Sequence, residues 1–222
     1  MHIGRLVSLL AAALALSACV STGGDGNLSM EYVNRYAKTN PTPAAFTQCH
    51  GFGCAVASDV SLSPGEWRRV KAVFYPRPGN AHAERQRIRR ALVLMHRLVG
   101  AQTGTAVHQW THQNLYIKPN FGDTSQLDCI DESVNTWTYL TLMERDHLFR
   151  FHRVAELAYA GLPTDTNPRN AAAIQDKKTG EYFAVDPSLV DYNVPPPIIP
   201  LKVWMGAWPP KIAVATGARK KG

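Results

Sequence analysis

Residues 126–145 constrain the chain most, because they specify an amphipathic helix that opens on a cysteine. Ile130, Val134, Trp137 and Leu140 recur at helical spacing, with Tyr139 and Met143 near the margins of the stripe. Asp131, Glu132, Asn135 and Thr138 lie off it. Asp128 is a good N-cap, and acids at Asp131 and Glu132 suit the first turn, so the spacing predicts a helix from Cys129 to Arg145. A cysteine at a helix start has the dipole in favour of its thiolate. Three nearby carboxylates oppose that, so only a cationic partner would ionise the thiol near neutral pH.

Cysteine bookkeeping sharpens the point. The chain has four cysteines among 222 residues. Arg5 followed by the apolar run Leu6 to Leu16 reads as an export signal, shorter than the ~20 residues that span a bilayer. Leu16-Ser17-Ala18-Cys19 resembles a bacterial lipobox, which makes Cys19 the lipid-attachment residue. Val20 follows in place of an aspartate, so the expected location is the envelope of a Gram-negative bacterium, anchored in the outer membrane and facing the periplasm. In that oxidising compartment Cys49-His50-Gly51-Phe52-Gly53-Cys54 reads as a small disulfide loop rather than a metal site, since only His50 is at hand as a further ligand. Cys129 is left without a partner, either a buried small hydrophobe or a reactive thiol. The expected organisation is a signal peptide (1–18), a lipid-attached flexible tether (19–45), one domain (46–212) and a disordered basic tail (213–222).

Elsewhere the pattern is mixed. Ile88, Ala91, Leu92, Met95, Leu98 and Val99 form one face of a helix over 81–99, with Gly100 as its stop and His96 beside the stripe. Residues 100–123 read as irregular, with Gly104, Pro119 and Gly122 as breakers and a polar, aromatic content that includes His108 and His112. Strands are expected at 149–154, 170–175 and 181–186, the last two joined by a turn at Asp176–Gly180. Within the first, His152 falls opposite the phenylalanines, on the polar face. Pro195, Pro196, Pro197 and Pro200 then predict an extended wrap around the domain. Helices followed by an antiparallel sheet make an α+β fold.

The order of a cysteine at a helix start, a strand, and a hairpin ending in Asp186 resembles the transglutaminase-like branch of the papain superfamily, and bacterial transglutaminase-like cysteine peptidases in particular. The motifs that carry the resemblance are Leu127-Asp128-Cys129-Ile130-Asp131-Glu132 and Phe183-Ala184-Val185-Asp186. It implies a papain-like core with the cysteine helix packed on a small antiparallel sheet, Cys129 as nucleophile and Asp186 as the orienting acid. The family's histidine position falls on Arg169, which cannot act as a base. Pro187-Ser188-Leu189 also departs from the Ser-Trp-Phe of the nearest relatives. Several superfamily members depend on calcium near the cysteine helix, where Asp131 and Glu132 would be the ligands; otherwise the resemblance implies no cofactor.

Two functional readings follow. In one, the fold is a degenerate scaffold that binds a peptide, protein or cell-wall polymer without cleaving it. In the other, it is an active cysteine peptidase or amidase in which His152 replaces the missing base, with His108 and His112 behind it, Asp186 orienting the imidazole and Asn170 donating a hydrogen bond. The formal charge of +7 at pH 7 gathers at Arg68-Arg69-Lys71, along Arg85 to Arg97 and at Arg219-Lys220-Lys221. For an anchored envelope protein that excess suits the lipid membrane or a solvated face, and excludes nucleic acid as the expected partner.

Overall fold

The computed structural model describes residues 27–108, 122–160 and 169–206. Cys19 and the export signal, His112, and the basic tail lie outside the described residues. The chain order is β1 (Asn27–Ser29), α1 (Glu31–Tyr36), β2 (Phe46–His50), β3 (Val56–Val60), α2 (Pro64–Ala72), α3 (Ala81–Thr103), α4 (Cys129–Arg145), β4 (His152–Val154), β5 (Leu157–Ala160), β6 (Arg169–Asp176), β7 (Tyr182–Val185), β8 (Ile198–Pro200) and α5 (Leu201–Trp204). This is a mixed α+β architecture with antiparallel sheets. Among the described residues, no helix is long and apolar enough to cross a membrane.

β6 is the centre of the main sheet. On one edge it pairs with β5 near its start (Tyr159↔Asn170) and with β4 near its end (His152↔Asp176). On the other edge it pairs with β7, which pairs with β8, while β1 closes the far side of β5. β2 and β3 form a separate hairpin. Side chains alternate across β6 because the strand period is two. Ala172 and Ile174 join the core under α4, together with Ile88, Leu92 and Met95 of α3. Ala171 and Ala173 join a second core on the opposite face, under Leu201 and Trp204 of α5. The small alanines on that face let the fully buried Trp204 ring lie close to the sheet; truncating such a ring typically costs about 3–5 kcal/mol.

The caps explain where the helices begin. Ser63 and Glu66 form a capping box for α2, Asn80 caps α3 through Ala83 N–H, and Asp128 and Asp131 form a capping box for α4. α3 runs on past the expected stop: Gly100 is helical and buried, and a Cβ there would collide with the Tyr192 hydroxyl. The glycine is required by packing. The turn falls four residues later at Gly104, in the left-handed conformation (φ 76°).

One expectation needs correction here. Residues 27–45, assigned to a flexible tether, belong to the folded body from Asn27 onward. β1 pairs with β5, and α1 packs on α4 with Val33 in the core and Tyr32 and Tyr36 against it. The polar side of α4, moreover, faces protein. Asp131, Glu132, Asn135 and Thr138 are all buried, because β2, the 187–189 turn and His108 pack against the helix.

Candidate functional site

The start of α4 is held by the disulfide loop. Cys49 and Cys54 are bonded, and the four residues from Gly51 to Cys54 all take positive φ (84°, 67°, 66° and 57°). Such a run turns successive N–H groups to one side. Phe52 N–H donates to Asp131 Oδ2 (2.9 Å), Gly53 N–H to Asp128 Oδ2 (2.9 Å) and Cys54 N–H to Asp131 Oδ1 (2.6 Å). Asn135, further along α4, accepts from Cys49 N–H (2.7 Å) and donates to Cys49 O (2.8 Å). His50 is spent on Thr124 O and the Ser58 hydroxyl.

Asp131 and the two sulfurs lie within 4.8 Å of one another. Both sulfurs are consumed in the S–S bond and both Asp131 oxygens accept N–H groups, so the trio is no cation site in this oxidised state. Glu132 turns instead to His108, whose Nε2 is 3.6 Å from Glu132 Oε1. The two acids named as calcium ligands therefore address different neighbours.

Above this foundation sits Cys129, partly exposed and the free cysteine among the described residues. Among those residues its sulfur's hydrogen-bond partner is the Asn170 amide, Nδ2 to Sγ 3.8 Å. Burial pushes the thiol up to about 12; the Asp128 and Asp186 carboxylates add to this, and Asn170 opposes it. The helix dipole is outweighed by desolvation and by two acids, and among the described residues no cation compensates.

Strand alternation decides which β6 residue faces the thiol. Asn170 shares the α4 face with Ala172 and Ile174. Arg169 points to the opposite face, where its Nη2 donates to Trp204 O (2.8 Å) and its guanidinium lies 5.2 Å from the Trp204 ring centre. The residue at the family's histidine position is thus turned away from the sulfur, and its neighbour occupies the facing place. Asp186 follows the Arg169 face. It accepts from Ser188 N–H and hydroxyl and from Trp204 Nε1 (2.8 Å). The structure brings Cys129 and Asp186 within electrostatic reach, while the carboxylate is committed to the C-terminal segment.

His152 does not belong to this site. It is fully buried, and its Nδ1 donates to Glu84 Oε1 (2.9 Å) while Nε2 accepts from Arg85 Nη1 (3.1 Å). A guanidinium only donates, which fixes that tautomer. Glu84 also accepts the backbone N–H groups of Arg150, Phe151 and His152, so the imidazole is part of a buried anchor for β4. His152 pairs across from Asp176, six residues beyond Asn170, about 20 Å along the strand. The proposed substitution of His152 for the missing base is corrected accordingly: the strand was placed well, but its histidine sits at the far end of β6.

His108 is nearer. Its Nδ1 accepts Leu127 N–H (3.1 Å), two residues before Cys129, and so carries no proton. Burial pushes the Glu132 carboxyl beside it up to about 7 against the pull of His108. Among the described residues Glu132 Oε2 has no hydrogen-bond partner. His96, stacked on Tyr192, is pushed down to about 4 by burial and then by His108.

Sequence reasoning missed two further side chains in the neighbourhood of this end of the sheet. Tyr32 of α1 has its hydroxyl raised by burial, then by Glu31 and by Cys129. Tyr159 of β5 is directly opposite Asn170 and remains exposed. Tyr159 was legible from the alternation Leu157-Ala158-Tyr159-Ala160, once the register was known; Tyr32 had no signal in the sequence.

No protein-family model, curated protein or solved structure matches this chain.

Proposed function

We propose that the protein is a lipid-anchored envelope component whose transglutaminase-like core binds a peptide or cell-envelope polymer without hydrolysing it. One observation carries the reading: the sulfur of Cys129 is faced by an amide, in surroundings that hold it protonated. Thiol-dependent acyl transfer needs a group that removes the proton and returns it to the leaving amine. Asparagine has no proton to exchange near neutral pH, and the buried His152 is about 20 Å away along β6. The resemblance supports a groove at the cysteine helix; the chemistry within it favours recognition.

Amide and peptide hydrolysis by the purified protein, compared with three variants, tests the proposal. The unmodified protein and Cys129→Ala are expected to be equally inactive. Asn170→His places an imidazole on the Cys129 face and is the change expected to introduce hydrolysis. Arg169→His points at Trp204 and introduces none. Turnover by the unmodified protein that Cys129→Ala abolishes would overturn the scaffold reading.

A further inference from the structure

We propose that the outer side of the α2–α3 layer is a docking surface for an anionic lipid bilayer, met through Arg68, Arg69, Arg90 and Arg97 and the exposed ring of Tyr75. The proposal rests on the reading of an envelope protein held at a membrane, and it starts from where the charge lies. Residues 64–103 hold nine basic and two acidic side chains, an excess of seven that equals the formal charge of the whole chain. The other residues carry fifteen of each sign. Of the two acids in the layer, Glu66 is spent on the α2 cap, and Glu84 is fully buried against backbone N–H groups and His152.

The two helices place the excess on one surface. They lie side by side and antiparallel: Gln102 Oε1 accepts Ser61 N–H just before α2 (3.4 Å), and Arg87 Nη1 donates to Val73 O just after it (3.1 Å). Trp67 and Val70 of α2 join Ile88, Leu92 and Met95 of α3 in one core, so the exposed residues of both helices lie on the outside of the pair. Arg90 and Arg97 are seven residues apart and leave α3 on the same side, about 10 Å apart along the axis. Arg68 and Arg69 are exposed on α2 alongside. Among the described residues these four make no hydrogen bond or ion pair, whereas Lys71, Arg77, Arg85, Arg87 and Arg89 are each spent on a protein partner.

This spread identifies the occupant. A single small anion reaches one or two guanidiniums on so convex a surface, while a plane of phosphate headgroups reaches all four. Tyr75 favours a bilayer over a soluble acidic polymer. It is 59% exposed just past the end of α2, with the Arg77 guanidinium 5.7 Å from its ring centre, and Arg87 Nη2 holds the following Pro76 carbonyl against α3 (3.4 Å). An exposed tyrosine beside cations fits the level where headgroups meet hydrocarbon.

Co-sedimentation of the purified full chain with vesicles of phosphatidylcholine, and with vesicles of equal parts phosphatidylcholine and phosphatidylglycerol, tests this. The ratio of the two partition coefficients cancels what the N-terminus contributes to both, so it reads this surface whether or not Cys19 carries a lipid. The ratio should favour the anionic vesicles and fall as salt is raised. Arg90→Gln with Arg97→Gln, and Arg68→Gln with Arg69→Gln, should each lower it about tenfold, while Arg219→Gln, Lys220→Gln and Lys221→Gln together leave it unchanged. The four helix arginines are exposed, so thermal unfolding of these variants should match the unmodified protein. No preference for the anionic vesicles, or a preference that only the tail substitutions abolish, would overturn the surface. Binding of soluble polyglutamate through the same arginines, without that preference, would make the partner an acidic polymer and overturn the bilayer. A strong preference in a protein whose Cys19 proves unlipidated would support this surface and remove only the anchor.

Discussion

Cys129, Asp131 and Glu132 share one turn of α4 and are all pushed toward their protonated forms, chiefly by burial. Their partners differ. Asp131 has three N–H donors, from Phe52, Cys54 and Asp128, whereas Glu132 has one distant imidazole. Both carboxyls therefore contribute in the same direction, and Glu132, which accepts no backbone N–H, is the one an amide can replace without disturbing the helix cap. Its carboxyl titrates at about 7 in the folded state, above the 4.5 of an ordinary glutamate. The folded state thus holds a proton that the unfolded chain releases. The resulting stabilisation is complete below pH 4.5 and is lost as pH rises through about 7, a difference on the order of 3 kcal/mol. Glu132→Gln removes the titration. Urea midpoints should show the variant gaining on the unmodified protein from pH 5 to pH 8, approximately, and then holding level. His96 slopes the other way, losing its contribution as pH falls from 6.5 toward 4, but it is common to both proteins and cancels in the comparison. Parallel midpoints across that range would contradict the assignment.

At the scale of elements, the start of α4 and the β2–β3 hairpin act as one unit. The disulfide holds Phe52 and Cys54 in left-handed conformations that non-glycine residues avoid, and those conformations supply the amides that Asp128 and Asp131 accept. Removing the bond as Cys49→Ser with Cys54→Ser should cost about 2 kcal/mol for so short a loop, and more if the amide contacts go with it. Hydrogen exchange should then accelerate at Ile130 and Asp131, with α3 amides changing less; uniform exchange across both helices would show that the loop does not seat α4. Much at this scale was legible in the sequence. Long periodicity marked α3 and α4, and the turn at Asp176–Gly180 marked the β6–β7 pair. β1, β5 and β8 are three or four residues long, too short for periodicity to register. Tertiary pairing, rather than local pattern, makes them strands. The start of α2 is written in Ser63-Pro64-Gly65-Glu66, yet its nine residues bury only Trp67 and Val70. Which face of β6 meets the thiol was not legible, because a one-residue difference between Arg169 and Asn170 decides it and only the register fixes that parity.

At the scale of the whole molecule, the proposed attachment residue Cys19 lies within a few residues of the folded body, which begins at Asn27. Eight peptide links separate Cys19 from Asn27, a reach of at most about 28 Å, so lipidation at Cys19 would hold the β1 edge and the Cys129 site close to the membrane surface. Replacing Cys19 by Ser is expected to move the protein from the membrane fraction to the soluble one; retention in the membrane would contradict the anchor. The proposed function rests on Cys129 being an unactivated thiol. Its alkylation rate by iodoacetamide in the folded protein, followed across pH, measures that directly. The expected rate stays below that of a free thiol peptide through neutral pH and rises only in the alkaline range, as a thiol held near 12 requires. A fast rate that is already level near pH 7 would show a thiolate with a hidden cationic partner, and would contradict the account.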